Sequence, residues 1–269
     1  MLHARGLVKR YGPVTALDGF DLRVPPGEIA GLVGHNGAGK TTFFEIAAGL
    51  LRPDEGESEV RGEVGMAPQG LALYPSVTVR ETLRLFGGLA GLRRRALAAA
   101  VESVAGELEL AGELDRRVAL LSGGQQRRVQ AATALMGEPA VLLLDEPTAG
   151  ADPETRAALL AAVRRRAEAG AAVVYCTHYL PELAELGATV AVAARGRVIA
   201  RGAAADLLKD LPGEVRVVLD DEREIALSTT DPTAALAGLL RELDGPVRGI
   251  DIRQPSLDDL YRELSRGRR

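Results

Sequence analysis

The apolar positions of this chain change rhythm along its length, and each rhythm predicts a different element. Near the start Phe20, Leu22 and Val24 alternate with polar neighbours, the period-two pattern of half-buried strands. The stretch EIAGLVG over 28–34 is instead a short continuous apolar run, 39–49 reads as a helix ended by Gly49, and LRPDEGE over 51–57 reads as a polar loop. From about 76 to 135 the chain is rich in Ala, Leu and Arg without a strand pattern, which predicts a helical insertion. Beyond it, AVLLLD over 140–145 and AAVVYC over 171–176 are continuous apolar runs flanking a helical stretch over 154–168. Buried parallel strands joined by a right-handed crossover have this pattern.

Strand, helix and strand in alternation predict an α/β fold. Around 211–213 the rhythm shifts to a smaller α+β module: EVRVVLDD, REIALS, a helix over 234–243, VRGIDIR and a last helix, SLDDLYREL. These changes predict one large domain over 1–212 and an accessory module over 213–269. At 269 residues and 46% hydrophobic content, the chain is long enough for such an arrangement.

Charge narrows the functional classes. With 33 Lys+Arg against 37 Asp+Glu the net charge is -4, so no long-range basic field draws nucleic acid. The arginine clusters 93–95 and 164–166 lie in Ala-rich, helix-favouring stretches and read as solvated helix faces. The single cysteine, Cys176, lies in an apolar run and reads as core packing in a reducing compartment. No apolar run approaches the ~18 residues that span a bilayer, and the start lacks an apolar secretory segment, so a soluble cytoplasmic chain is expected.

Three motifs carry chemistry. The run Gly34-His35-Asn36-Gly37-Ala38-Gly39-Lys40-Thr41-Thr42 has the glycines, lysine and hydroxyls of a phosphate-binding loop, between a predicted strand and a predicted helix. Glycines let the backbone wrap a β-phosphate, amides at the helix N-terminus stabilise the anion, Lys40 bridges β and γ oxygens, and Thr41 offers a hydroxyl to Mg2+. The strand over 140–145 delivers Asp145-Glu146, placing Asp145 beside a metal and leaving Glu146 to orient or deprotonate a water. Leu121-Ser122-Gly123-Gly124-Gln125 precedes a predicted helix, so Ser122 is a natural N-cap and the glycines expose amides at the positive end of the dipole. That is a second anion cradle, although helix capping alone also accounts for it. Two complementary cradles in one chain invite a two-fold dimer in which each caps the γ-phosphate held by the other subunit.

With these motifs in order, residues 2–205 resemble the nucleotide-binding subunits of ABC transporters, whose cassette is an ATP-hydrolysing P-loop fold: a mixed RecA-like sheet, an N-terminal antiparallel part and a helical subdomain. The LSGGQ motif is the most specific element. By that resemblance Tyr11 stacks on adenine, Gln69 completes the Mg2+ and water shell where the membrane partner docks, and His178 holds the γ-phosphate and positions water. Asp152 ends the loop 149–152 that crosses the dimer. The resemblance thus implies catalytic roles for Glu146, His178 and Lys40 and metal ligation by Thr41, Gln69 and Asp145. ATP contacts come from the phosphate loop 34–42 (Gly34, Asn36, Gly37, Ala38, Gly39, Lys40, Thr41 and Thr42) and from Tyr11, Gln69, Asp152, Ser122, Gly123, Gly124 and Gln125.

The chain departs from the family at Ala151, where a larger aliphatic residue is usual, which implies a looser contact between the two sites. The tail PSLDDLYREL and THYLPE around His178 are similar to bacterial antibiotic-export ATPases of the daunorubicin-resistance type. The implied partners are a second copy and an integral membrane permease, docked near Gln69 and the apolar LALYP over 71–75, on the inner face of the membrane. Two rival readings remain: a soluble ABC ATPase acting on chromosomes or translation, disfavoured by one cassette and one cysteine, and an ATP-cycling membrane scaffold that moves no solute.

Overall fold

The continuous apolar runs become innermost strands. The computed structural model describes residues 1–269 except 244, 257, 258, 261, 262 and 264–269. In chain order its elements are β1 (Leu2–Tyr11), β2 (Val14–Val24), β3 (Ile29–Val33), α1 (Lys40–Ala47), β4 (Glu55–Val60), β5 (Val64–Ala67), α2 (Val79–Leu89), α3 (Arg94–Glu107), α4 (Gly123–Leu135) and β6 (Val141–Asp145). There follow α5 (Pro153–Glu168), β7 (Ala172–Cys176), α6 (Pro181–Glu185), β8 (Thr189–Ala194), β9 (Arg197–Ala203), α7 (Ala204–Leu208), β10 (Gly213–Leu219), β11 (Glu224–Thr229), α8 (Pro232–Glu242) and β12 (Val247–Arg253). They fall into two units, 1–201 and 202–269.

In the first unit a six-stranded sheet has the order β5-β6-β7-β3-β8-β9, with β5, β6, β7, β3 and β8 parallel. Every residue of β3, β6 and β7 is buried, as strands covered on both faces require. The C-terminal ends of β3 and β6 lie near each other, and the loops leaving them carry the phosphate loop and the acid pair. A second, antiparallel sheet, β2-β1-β4, packs its alternating apolar face on α1. There Phe20 stacks on Phe43 at 4.8 Å between ring centroids. Helices α2, α3 and α4 form the helical part, entered by a capping box in which Thr78 and Glu81 satisfy each other's backbone amides.

In the second unit α8 covers one face of the sheet β11-β10-β12, burying Val215, Val217 and Leu219 against Ala235, Leu236 and Leu239. The opposite face carries compensated charge, with Arg216 Nε 3.0 Å from Glu224 and Arg253 Nε 3.7 Å from Glu214. The last predicted helix falls partly outside the described residues.

Three expectations change. The segment 51–57 is not all loop: β4 starts at Glu55, because an edge strand tolerates acidic residues that meet Arg10 and Arg5 on β1. Strands β5, β8 and β9 arise where the pattern alone assigns none. They are short or alanine-rich, and their partners, not their own periodicity, define them. The cluster 164–166 is not uniformly solvated, since half-buried Arg166 pairs with Glu107 of α3 at 3.2 Å.

Candidate functional site

The phosphate loop gets its shape from packing as well as from free rotation. Gly39 has φ 96° at the N-cap of α1, and a Cβ there would lie 2.5 Å from the Ala16 carbonyl of β2. Only glycine meets both conditions. The two-residue turn Arg195-Gly196 between β8 and β9 buttresses the loop: the Gly196 amide donates to the Ala38 carbonyl at 3.1 Å, and its own carbonyl accepts from Asp18 at 2.9 Å. Ala38 is buried, while His35, Asn36 and Gly37 are exposed. The buried Lys40 ammonium donates to the carbonyls of Gly34 at 2.5 Å and His35 at 3.2 Å, so the loop's own backbone holds the cation at its centre.

A cleft of about 330 Å3 opens beside this loop, lined by Asn36, Gly37, Gly39, Lys40, Thr41 and Thr42, by Val14, Thr15 and Ala16 of β2, and by Gln69, Asp145 and Glu146. Gln69 comes from the segment after β5, and the acids from the end of β6. Glu146 has φ 52°, rare for a side chain other than glycine, and its amide donates to the Cys176 carbonyl at 2.9 Å. One carboxylate oxygen, Oε1, accepts from Gln69 Nε2 at 3.1 Å and lies 2.5 Å from His178 Nε2. Among the described residues no donor meets the other Glu146 oxygen, Oε2.

Asp145 is 4% exposed, and burial, joined by the neighbouring Glu146 charge, pushes its carboxyl above the usual carboxylate range. Two carboxyl groups beside one lysine, with the Thr41 hydroxyl and the Gln69 amide oxygen on the same cleft, form a hard oxygen donor set. That set fits Mg2+, whose charge would offset the burial. The Cys176 thiol beside Asp145 is pushed up chiefly by burial, in keeping with a packing role.

The remaining expected site residues lie outside this cleft. Ser122 caps α4 as the sequence suggests: its hydroxyl accepts from the Gln125 amide at 3.2 Å, and the Gln125 side chain accepts from the Ser122 amide at 2.9 Å. Gly123 and Gly124 are the first two helical residues, and a Cβ on Gly124 would meet the Gly150 carbonyl at 3.2 Å. Asp152 caps α5, where the Thr155 hydroxyl and amide hold its carboxyl below the usual range. Tyr11 is 48% exposed at the tip of the β1-β2 hairpin, register partner of the cleft residue Val14, with Lys9 5.9 Å from its ring centroid.

Motif reading missed Gln130. Buried on α4, it donates to the carbonyls of Pro68 at 2.5 Å and Gly70 at 3.1 Å and accepts from the Ala72 amide at 2.6 Å. Arg127, one turn earlier, donates to the Gln69 carbonyl. The helix that begins at Ser122 therefore also grips the backbone around Gln69. The sequence signal is a polar residue on an otherwise apolar helix face, which says "partner needed" without saying which.

Comparison with known proteins places these features in context. Residues 17–149 match the ABC transporter family model. The chain is 35% identical to a daunorubicin resistance ATP-binding protein of Streptomyces coeruleorubidus, covering 97% of this chain and 94% of that one. It is 35% identical to a linearmycin resistance ATP-binding protein of Bacillus subtilis over 81% of this chain and 74% of the relative. Among solved structures, an ATP-binding subunit of an ABC transporter superposes with TM-score 0.76 at 25% identity, covering 98% and 99% of the two chains. A bacterial ABC transporter cassette solved as a dimer gives 0.69 at 26% identity over 76% of this chain and 98% of that one.

Proposed function

The chain belongs to the family of ABC transporter ATP-binding proteins and is an ABC-type ATPase, and from that premise we propose that it works as one half of an ATP-sandwich homodimer driving a membrane permease, for export. The observation that carries the reading is the separation of the two cradles. One cleft gathers Lys40, Thr41, Gln69, Asp145 and Glu146, with His178 on Glu146, while the Ser122-Gly123-Gly124 turn is not among the residues that line it. A nucleotide seated in the cleft leaves its γ-phosphate to be capped from outside. Two of the relatives above are named as daunorubicin and linearmycin resistance ATP-binding proteins, and those names support export as the direction of transport.

In this mechanism ATP exchanges with the loop's own carbonyls for the Lys40 ammonium, and the first amides of α1 take the β-phosphate. Tyr11 stacks on the adenine. Thr41, Gln69 and Asp145 would hold Mg2+, which neutralises charge on the phosphates when bound. Glu146, its Oε1 fixed by Gln69 and His178, accepts the proton of the attacking water on Oε2. His178, with Nε2 2.5 Å from Oε1, keeps that carboxylate from turning away. The partner's Ser122 turn completes the stabilisation of charge spreading over the transferring phosphoryl.

Among the described residues no helix is long and apolar enough to cross a membrane. In this reading the permease supplies the membrane path and holds the chain at the inner face. Leu71 and Tyr74 are 46% and 59% exposed on the segment gripped by Gln130, an apolar surface fitted to that contact. Size exclusion of the Glu146→Gln protein tests the reading. Saturating ATP should convert it to a dimer, and a monomer under those conditions overturns the sandwich.

A further inference from the structure

Behind the reacting groups lies a carboxylate, the last residue of THYLPE, to which no motif assigns a role. Glu182, on α6, is 1% exposed. Its Oε1 accepts from the Thr148 hydroxyl at 2.7 Å, and its Oε2 accepts from Thr177 at 2.8 Å and Tyr175 at 3.1 Å. Arg156 Nε of α5 lies 3.2 Å from Oε1, an ion pair too bent for a hydrogen bond. Four partners from three stretches of chain converge on one side chain.

Two of those stretches carry the chemistry. Thr148 stands two residues after Glu146, and its carbonyl accepts from Ala151 at 2.9 Å, so it anchors the turn that leads to Asp152. Thr177 immediately precedes His178 and also accepts the Tyr179 amide at 2.9 Å, while the Tyr179 ring lies 4.8 Å from the Arg156 guanidinium. His178 itself is 61% exposed, and its ring meets Glu146. An exposed imidazole is not positioned by packing. Its direction comes from the backbone on either side, and that backbone is tied to Glu182.

We propose that Glu182 is a positioning residue for ATP hydrolysis: by binding Thr148 and Thr177 together, it fixes the Glu146 loop and the His178 loop in one register. The proposal rests on the reading that Glu146 and His178 serve turnover. A neutral residue of similar shape cannot replace the carboxylate, because a glutamine has a single acceptor oxygen and its amide nitrogen would face a hydroxyl that must then turn around. The effect reaches the reaction only through His178 and Glu146, since Glu182 touches neither the cleft nor its lining.

The test is steady-state ATP hydrolysis by the full chain, with melting temperature and nucleotide affinity measured alongside. Thr177→Val and Glu182→Gln should each lower kcat by about tenfold or more, as small misplacements of reacting groups do, with KM for ATP within about twofold. Thr177→Ser should restore the rate. In a His178→Ala background, Thr177→Val should add almost nothing, because the group it positions is gone. A Thr177→Val loss of equal size in both backgrounds, or a Glu182→Gln protein at full kcat, overturns the proposal. Should Glu182→Gln lack a melting transition, the Thr177→Val and Thr177→Ser pair decides alone. If His178→Ala itself turns over at the parental rate, the histidine reading falls first and the role of Glu182 falls with it.

Discussion

Two helices of the cassette begin at glycine-rich turns, and their N-terminal ends are finished in opposite ways. At α1 the N-cap is Gly39, with no side chain bonded to the first-turn amides, and Lys40 sits beside them. At α4 the Ser122-Gln125 capping box consumes two backbone donors, and the nearby cations are spent: Arg127 on the Gln69 carbonyl and Arg128 on Glu109 at 3.6 Å. Amides without a side-chain cap, next to a cation held only by the loop's own carbonyls, can take an anion, and a metal ion between that anion and the two acids would complete the site. A self-capped end offers only its remaining amides and a hydroxyl. Under the proposed function, the difference assigns nucleotide capture to α1 and leaves α4 to supplement an anion already anchored elsewhere.

The largest effect should come from separating capture from turnover. Glu146→Gln keeps every contact of the α1 end but removes the proton acceptor, so kcat should fall roughly 10²- to 10⁴-fold, the range for a lost general base, with ATP affinity nearly unchanged. Single-turnover hydrolysis beside equilibrium binding measures both. An unchanged rate would remove Glu146 from the chemistry.

Lys40→Ala addresses the comparison directly. Loss of a charge-assisted contact of about 1.5–3 kcal/mol should weaken ATP binding to the monomer roughly 10- to 150-fold. Ser122→Ala, measured the same way by calorimetry on monomer, should change affinity less than about twofold. Equal losses at both ends would mean that one chain grips its nucleotide with both cradles, and the division of labour would not hold.

Much of this division is legible in the chain itself. The phosphate loop, Asp145-Glu146 and LSGGQ are local signals, because a turn that wraps phosphate and a strand that presents acids impose residue types at fixed spacing. The buried strands β3, β6 and β7 are equally plain, since full burial demands unbroken apolar runs. What the pattern does not reveal depends on distant partners. Strand β4 is polar and exists because β1 offers it arginines, and alanine-rich β8 takes its identity from pairing with β3. Gln130 and Glu182 look like misplaced polar residues until the fold brings the 68–72 backbone and three hydroxyls to them. His178 is readable as a motif, but its contact with Glu146 joins the ends of two strands and has no local trace.

Ser122→Ala has a second, smaller consequence that separates capping from phosphate binding. Removing the cap should cost about 1 kcal/mol, or roughly 2–4 °C in melting temperature for a domain of this size. In the Glu146→Gln background it should also weaken ATP-dependent dimerisation, read by analytical ultracentrifugation. Gly at 122 sharpens the comparison, because glycine caps nearly as well as serine. Ser122→Gly should recover most of the melting temperature, but not the dimer if the hydroxyl meets the partner's phosphate. Recovery of both would reduce this serine to a cap.

The smallest expected effect concerns a feature that the α1 side has and the α4 end lacks, a buried anion. Because burial raises the folded-state pKa of Asp145, the folded protein holds that proton more tightly than the unfolded chain does. Stability from this group is therefore greatest at acid pH and declines as pH climbs from the ordinary carboxylate value through the raised one. Above that window the folded state carries an ill-solvated charge. Asp145→Asn removes the charge, so with a chelator present the variant should melt slightly above the parent at neutral pH and lose this advantage as pH falls through the window. Mg2+ should raise the melting temperature of the parent and close the gap, since a ligand for the folded state stabilises it by mass action. The variant should respond less. A difference that ignores pH, or equal gains from Mg2+ in both proteins, would place the metal away from Asp145. The two helix ends would then differ only in how they are capped.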